Sequence, residues 1–267
     1  MLNRIRRSGI AVALLAASLA FAPSAGAVNL FSVQQDVQAG RQAASQVDRQ
    51  LPMVRDAQVN NYVNAIVRRL AAQAGGPQFP YQARVVRSRE LNAFSLPGGF
   101  IYVNSGLISA VRSEDELAGV LAHEIAHVAE RHGTEQATKA YGAQAGIGVL
   151  AQVLGGRNRR MGLPEQILGI VGLNAAFLKF SRNAEYAADR VGAQTMARAG
   201  YDPMAMASFF DLLQAQKRSN PNAVASFFSS HPPASDRSAR IRAAAARIER
   251  GDRRQVGNLR AVQSRIG

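Results

Sequence analysis

The chain contains no cysteine and no tryptophan, and only four of its 267 residues are histidine. The absence of cysteine excludes disulfides, iron–sulfur clusters, thiolate zinc fingers and cysteine nucleophiles. Any metal site must therefore be built from histidine and carboxylate side chains. None of the apolar runs reaches the roughly 20 residues that a membrane-spanning helix needs.

Charged residues are few, at 19% of the chain, whereas hydrophobic residues make up 47%. This composition predicts a sizeable buried core in one domain and excludes a disordered chain. Lys and Arg number 32 against 18 Asp and Glu. A basic tract over residues 157–160 has no aromatic cluster beside it, so we expect solvated arginines and no nucleic-acid partner. Peripheral contact with an anionic membrane surface is the alternative.

The first 27 residues have the pattern of a secretory signal peptide. Three arginines among the first seven residues precede an apolar run over residues 10–21, and Ala25 and Ala27 give an Ala-x-Ala end. We therefore expect export to the periplasm, with an uncleaved anchor as the alternative. Without a cysteine at the cleavage site, the protein is not a lipoprotein.

Apolar periodicity and turn residues outline the mature chain. Helices are predicted over residues 32–47, 56–73, 113–133, 181–199, 203–217 and 234–250, with a short one after residue 106. Strands are predicted over 81–86, 92–96 and 100–103, the last two joined by a type II turn at Pro97-Gly98. Residues 220–233 are predicted to be a loop, and 141–180 an apolar helical hairpin. A single domain over 28–250 is expected, followed by a loosely ordered tail over 251–267.

The helix over 113–133 has the clearest signals. Ser113 and Glu116 have the spacing of a capping box, in which each side chain bonds a free backbone N–H of the first turn. Gly133 is expected to end the helix.

The sequence His-Glu-Ile-Ala-His lies in the middle of this helix, at residues 123–127. Because His123 and His127 are one helical turn apart, their imidazoles share a face and can reach one ion. Glu124 can sit beside that ion without binding it and take the proton of an attacking water. Two helix histidines with ordinary hydrogen bonds are the alternative.

A catalytic zinc ion needs a third protein ligand and an open fourth position. Glu130 shares the histidine face, but three groups in line along one helix cannot enclose an ion. His132 lies about 180° from His123 on a continuous helix and points away. Glu185 and Asp189 remain, one turn apart on a later helix. One carboxylate can bind zinc while the other accepts the spare N–H of a ligating histidine.

Four segments, in this order, resemble the prenyl-protease-like zinc peptidases, a gluzincin family of HtpX, BepA and LoiP type. They are NAFSLPGGFIYV at 92–103, HEIAH at 123–127, RNAE at 182–185 followed by Asp189, and His231-Pro232. The resemblance spans roughly residues 50–250. It implies a minimal periplasmic member, without the C-terminal helical-repeat domain or the lipid anchor found in some members.

The resemblance implies an α+β fold, mainly helical, of the zincin-like type, with a small β-sheet beside the HExxH helix. It further implies one Zn²⁺ per chain, bound by His123, His127 and Glu185, with Glu124 as general base. An unfolded substrate would add as a strand to the edge formed by Asn92, Ala93, Phe94 and Ser95. An ordinary hairpin arm is the alternative for that segment.

Two functional roles remain open for His231, with a solvated loop histidine as the alternative. It can donate to the developing oxyanion, with Arg237 as the alternative donor. The resemblance implies a second role, in which His231 is a fourth zinc ligand that closes the site and holds the enzyme latent.

We therefore predict a zinc-dependent endopeptidase that cleaves misfolded or unassembled envelope polypeptides. The alternative is a chaperone-like factor for outer-membrane assembly with latent or secondary proteolysis, whose partner would be the assembly machinery.

Overall fold

The computed structural model describes residues 29–140, 179–232, 236–249, 252 and 255–266. The predicted signal peptide and nearly all of the predicted apolar hairpin at 141–180 lie outside these ranges. Within the described ranges, no helix combines the length and the apolar character that crossing a bilayer requires.

The protein is mainly helical with one small sheet, as the α+β prediction requires. The described helices are α1 (Val33–Gln50), α2 (Ala57–Ala71), α3 (Ser105–Ala110), α4 (Glu114–Ala129), α5 (132–140), α6 (Arg182–Arg198), α7 (Met204–Ser219), α8 (Ala225–Ser230), α9 (Arg237–Ala245) and α10 (Leu259–Ile266), with a 3₁₀ turn at Pro221–Val224. The strands are β1 (Gln82–Val86), β2 (Ala93–Leu96) and β3 (Phe100–Asn104).

The sheet has the strand order β1-β3-β2, so β2 forms one edge. β1 runs parallel to β3, and β2 runs antiparallel to β3 with Ser95 opposite Ile101. The predicted hairpin is therefore confirmed. Gly98 follows Pro97 in the turn with a φ of 77°, a left-handed value that glycine adopts without strain.

The two faces of β2 enter different cores because side chains alternate along a strand. Ala93 lies in the main core, which also takes side chains from α2, α4 and α7. Phe94 and Leu96 point to the other face, where they pack against α1. Ser95, on the same face as Ala93, points toward α4. The sheet is thus sandwiched between α1 and the central helix.

Helix α4 is the centre of the protein, and all of its residues are buried. The Ser113 hydroxyl accepts a hydrogen bond from the Glu116 N–H at 3.1 Å, as predicted. The second half of the capping box is wrong, because the Glu116 carboxylate accepts from the N–H and the guanidinium of Arg112 instead. The ion pair with Arg112 supplies a better partner than the backbone N–H of Ser113.

The prediction that Gly133 ends this helix is also wrong. α4 ends at Ala129, and Arg131 adopts a φ of 57°, in the left-handed region. The chain then begins α5 at residue 132, so Gly133 lies inside a helix. A left-handed non-glycine residue costs roughly 1–2 kcal/mol. The Arg131 guanidinium offsets that cost by pairing with Asp36 and by donating to the Phe31 carbonyl.

The predicted loop over 220–233 contains regular structure instead. The 3₁₀ turn buries Val224, and α8 buries Phe227 against the rings of Phe209 and Phe210. These aromatic contacts order a segment whose short polar residues had suggested a loop.

The prediction of a loosely ordered tail over 251–267 is wrong for its larger part. Leu259 and Val262 on α10 are buried in the main core. Ahead of this helix, the Val256 N–H donates to the buried Glu114 carboxylate at 2.7 Å. Tyr62 also donates to this carboxylate, at 3.0 Å. A buried carboxylate that needs donors therefore attaches the C-terminal segment to the start of α4.

We predict that Gly40→Ala destabilises the protein although alanine is the better helix former. A Cβ at Gly40 on α1 would lie 1.8 Å from the Pro97 carbonyl oxygen. Overpacking of this kind costs about 1–3 kcal/mol or more in free energy of unfolding, measured in urea. Gly75→Ala is the control, because its Cβ would meet nothing within 4 Å. Equal stability of the two variants would show that α1 does not lie against this turn.

Candidate metal centre

Three predicted ligands meet at one point in the protein interior. His123 and His127 lie one turn apart on α4, with their Nε2 atoms 3.0 Å from each other. Glu185, in the first turn of α6, points its carboxylate between them. Its Oε1 lies 3.5 Å from His127 Nε2, and its Oε2 lies 3.5 Å from His123 Nε2. All three residues are at most 2% exposed.

His231 joins this group from the end of α8. Its Nδ1 lies 3.0 Å from Glu185 Oε1 and 3.4 Å from His123 Nε2. The four residues each offer one ligand atom, and these atoms all lie within 4.8 Å of one another. Within the described residues, no other group of His, Asp and Glu side chains is placed to hold a metal ion.

The donor set and its spacing fit zinc. Ligand atoms about 2.0–2.1 Å from a tetrahedral zinc ion lie roughly 3.4 Å from one another. The distances given above lie between 3.0 and 3.5 Å when both oxygens of Glu185 are considered, and a single ligand atom from each residue keeps the whole group within 4.8 Å. Imidazole nitrogens with one carboxylate oxygen are donors that zinc prefers.

Asp189 and Arg237 support the cluster from behind. Asp189 Oδ1 lies 3.1 Å from His123 Nδ1, on the side of the ring opposite the other ligands. The buried Arg237 guanidinium donates to both Asp189 oxygens, at 2.9 and 2.6 Å. Its Nη1 also lies 2.7 Å from Glu185 Oε2. Arg237, predicted as an alternative oxyanion donor, thus holds the two carboxylates that face the histidines.

A continuous helix predicted that His132 points away from the cluster. This prediction is wrong, because His132 faces His127. Its Nδ1 lies 3.0 Å from His127 Nδ1, because α4 ends at Ala129 and the chain turns at Arg131. The helical periodicity contains no signal for this turn. The ring of Phe180 stacks on His127 with centroids 3.9 Å apart, a contact that no local sequence pattern indicates.

Glu124 lies on the same turn of α4 and is fully buried. Its Oε2 accepts a hydrogen bond from the Ser95 hydroxyl at 2.9 Å. Its Oε1 lies 3.4 Å from His231 Nε2. The carboxylate therefore stands between the edge strand β2 and the group of ligand atoms.

Two other members of the predicted substrate segment, Ala93 and Phe94, have their side chains occupied. Ala93 is buried in the main core, and the Phe94 ring stacks on Tyr102 with centroids 5.0 Å apart. The Asn92 carbonyl accepts from the Asn104 N–H. The surface that this segment can offer to a substrate is thus the backbone edge of β2.

The surrounding carboxylates favour a positive charge on His123, whereas burial disfavours one on His127 and His132. Burial lowers the pKa of His123, but the carboxylates of Asp189 and Glu185 outweigh it and raise this pKa to about 9. Burial would raise the pKa of Glu185, but the three imidazoles around it, His231 foremost, hold it far below its usual value. Burial lowers the pKa of His127, and it lowers that of His132 to about 4.

Residues 57–245 match the model of peptidase family M48, an interval that contains all four converging residues. The chain belongs to peptidase family M48. The family and the zincin-like fold class predicted from the sequence motifs are thereby confirmed.

Several relatives of this M48 protein are peptidases by name. It is 34% identical over 174 residues to the putative beta-barrel assembly-enhancing protease of Vibrio cholerae. This alignment covers 62% of this chain and 35% of the relative. It is 27% identical over 249 residues to the beta-barrel assembly-enhancing protease of Escherichia coli K12, in an alignment that covers 87% of this chain and 49% of the relative. It is 32% identical over 196 residues to the mitochondrial metalloendopeptidase OMA1 of Schizosaccharomyces pombe, in an alignment that covers 73% of this chain and 55% of the relative. The M48 chain thus spans between about a third and a half of the length of these bacterial relatives.

We predict that Glu185→Gln weakens zinc binding by more than about 100-fold. Replacing a residue that only contacts a metal ligand typically costs about 10–100-fold in metal affinity, and a ligand itself should cost more. A neutral amide offers zinc a poorer donor and leaves Arg237 facing one carboxylate fewer. Competition with a chelator measures the dissociation constant. Glu130→Gln is the matched control, because Glu130 lies exposed at the end of α4. Equal zinc affinity in both variants would exclude Glu185 as a ligand.

Proposed function

We propose that this chain is a zinc-dependent endopeptidase, in which His123, His127 and Glu185 bind the ion and Glu124 is the general base. The observation that carries the proposal is the meeting of these four side chains, from two helices, in one buried cluster. Membership of peptidase family M48 supports the same reaction class.

His123, His127 and Glu185 would hold the zinc ion, which would supply Lewis acidity that lowers the pKa of water toward about 7 and polarises a peptide carbonyl. Glu124 takes the proton of the attacking water and passes it to the leaving amine. The hydrogen bond from Ser95 to Glu124 Oε2 leaves Oε1 as the oxygen that exchanges the proton. Burial of Glu124 excludes bulk water from this step.

The substrate is proposed to bind as an additional strand on β2. This strand lies at the edge of the sheet and, among the described strands, pairs with β3 alone. Its outer backbone groups can hydrogen-bond an extended polypeptide regardless of side chains. Ser95 links that edge directly to Glu124, so a bound strand would pass beside the general base. An unfolded or unassembled polypeptide fits this mode of binding.

His231 is proposed to close the site as a fourth ligand. Its Nδ1 lies among the other ligand atoms, so a zinc ion held by all four residues would have no position open for the attacking water that catalysis requires. Its Nε2 faces Glu124 Oε1 at the same time. Withdrawal of this one side chain would free both the open position and the general base, so His231 would hold the enzyme latent.

We further propose that the protein is exported by a signal peptide over residues 1–27 and acts in the periplasm, with the peptidase domain over residues 28–250 and α10 packed onto it. Its substrates would be misfolded or unassembled envelope polypeptides. The names of the bacterial relatives, which join protease activity to β-barrel assembly, support this environment. The outer-membrane assembly machinery is a further proposed partner.

A second candidate function is that of an assembly factor with silenced proteolysis. The placement of His231 among the ligand atoms favours it, because a permanently closed site would bind substrates without cleaving them.

We expect Glu124→Gln to bind zinc as the native protein does and to lose at least about a hundredfold in turnover of casein, because the amide cannot accept the proton. Metal analysis and a cleavage assay on the same samples check both parts. If the variant replaces the native protein in cells without any defect, the assembly-factor function is favoured over proteolysis.

We expect His231→Ala to cleave casein faster than the native protein while it retains one zinc ion per chain. The reason is that alanine opens the fourth position without removing the other three ligands. Side-by-side rates and zinc content are the measurements. Loss of cleavage with zinc retained would instead make His231 the donor to the oxyanion.

A further inference from the structure

The two histidines of α4 are supported by different partners. His123 is backed by the carboxylate of Asp189, whereas His127 is backed by another imidazole, that of His132. We propose that His132 is a positioning residue for the zinc ligand His127, whose ring and tautomer it fixes by accepting a hydrogen bond at Nδ1. This inference rests on the zinc site proposed above.

The direction of the hydrogen bond follows from the chemistry of imidazole. His127 directs Nε2 to the other ligand atoms and Nδ1 to His132 Nδ1, which is 3.0 Å away. A neutral imidazole that binds a metal through Nε2 carries its proton on Nδ1. His127 is then the donor, so His132 must present a lone pair at Nδ1 and carry its own proton on Nε2.

The contact between His127 and His132 is largely shielded from solvent. His132 is 7% exposed and His127 is 2% exposed. The two rings are inclined at 70° with their centroids 5.0 Å apart. The ring of Phe180 also stacks on His127. Water is therefore a poor substitute for His132, and loss of the acceptor would leave a buried N–H without a partner.

The fold places His132 here by means of the left-handed turn at Arg131. On a continuous α-helix, five residues correspond to 500°, so His132 would point about 140° away from His127. Arg131 breaks the helix, and its guanidinium donates to the buried Asp36 carboxylate at 2.7 and 3.1 Å. Asp36 lies on α1, outside the interval that matches the family model. The N-terminal helix thus helps to hold the residue that orients a zinc ligand.

The different partners of His123 and His127 also affect how many buried carboxylates the site contains. A carboxylate behind a ligating histidine makes the ligand more basic, and Asp189 already supplies this to His123. A neutral imidazole behind His127 orients the ring without adding another buried carboxylate to those of Glu124, Glu185 and Asp189. Arg237 contacts both Glu185 and Asp189, and none of its described contacts is with His132.

The test compares four full-length proteins by chelator competition: native, His132→Phe, His132→Asn and Thr138→Val. The Phe variant keeps an aromatic ring but removes the acceptor, and we expect its zinc dissociation constant to rise about 10–100-fold. The Asn side-chain oxygen can occupy the place of Nδ1, so we expect it to restore most of the affinity. Thr138→Val alters α5 without touching His127 and should bind zinc like the native protein. Melting temperatures of the zinc-free proteins report any purely structural effect.

Each result has a defined meaning. Native affinity in the Phe variant overturns the inference, as does equal weakening in the Phe and Asn variants, which would indicate packing and not acceptance of a hydrogen bond. If the native protein binds no zinc, both this inference and the proposed function fail. If it binds zinc and only the His132 results are contrary, the proposed function stands alone.

A measurement on the unmutated protein gives an independent test. Nitrogen-15 spectra of the zinc-loaded native protein should show the His132 ring protonated at Nε2 and the His127 ring protonated at Nδ1. A proton on Nδ1 of His132 would overturn the inference, whether or not any variant folds.

Discussion

The burial of the Glu185 carboxylate among three imidazoles is the interaction on which the rest of the structure depends. An isolated charge in such a place would cost several kcal/mol, so it must be surrounded by positive or polarisable partners. The histidines supply these on one side and Arg237 supplies them on the other. This requirement draws α4, α6, α8 and the start of α9 to one point. A divalent cation bound at that point would offset part of the negative charge of the buried carboxylates.

Both ends of the central helix are held by segments outside the interval shared with the family. At its start, Glu114 accepts hydrogen bonds from the chain that leads into α10. At its end, Arg131 is paired with Asp36 on α1. Because α4 carries His123, Glu124 and His127, these two attachments set where the cluster lies against the sheet and against α6. The terminal helices thus contribute to the geometry of the site without providing a ligand.

The proposed regulation and the proposed catalysis use the same few atoms. His231 lies between Glu185 and Glu124, and so touches both the ligand group and the general base. Ser95 contacts Glu124 from the opposite side, at the edge where a substrate strand would bind. A change at His231 would therefore alter ion coordination and proton transfer together. Such coupling fits the proposed latent state, in which one side chain blocks both functions.

The sequence alone determined whatever depends on local periodicity or turn chemistry. The shared face of His123 and His127, the cap at Ser113 and the β2–β3 hairpin follow from spacings of a few residues, and the structure has all three. Glu185 could be singled out only through the family resemblance, because one carboxylate pair on a helix is indistinguishable from many others. Tertiary structure alone decided the turn at Arg131, the contact of His132 with His127 and the docking of α10. Each of these depends on a partner that is distant in the chain, such as Asp36 or Glu114, and a helical pattern contains no information about such partners.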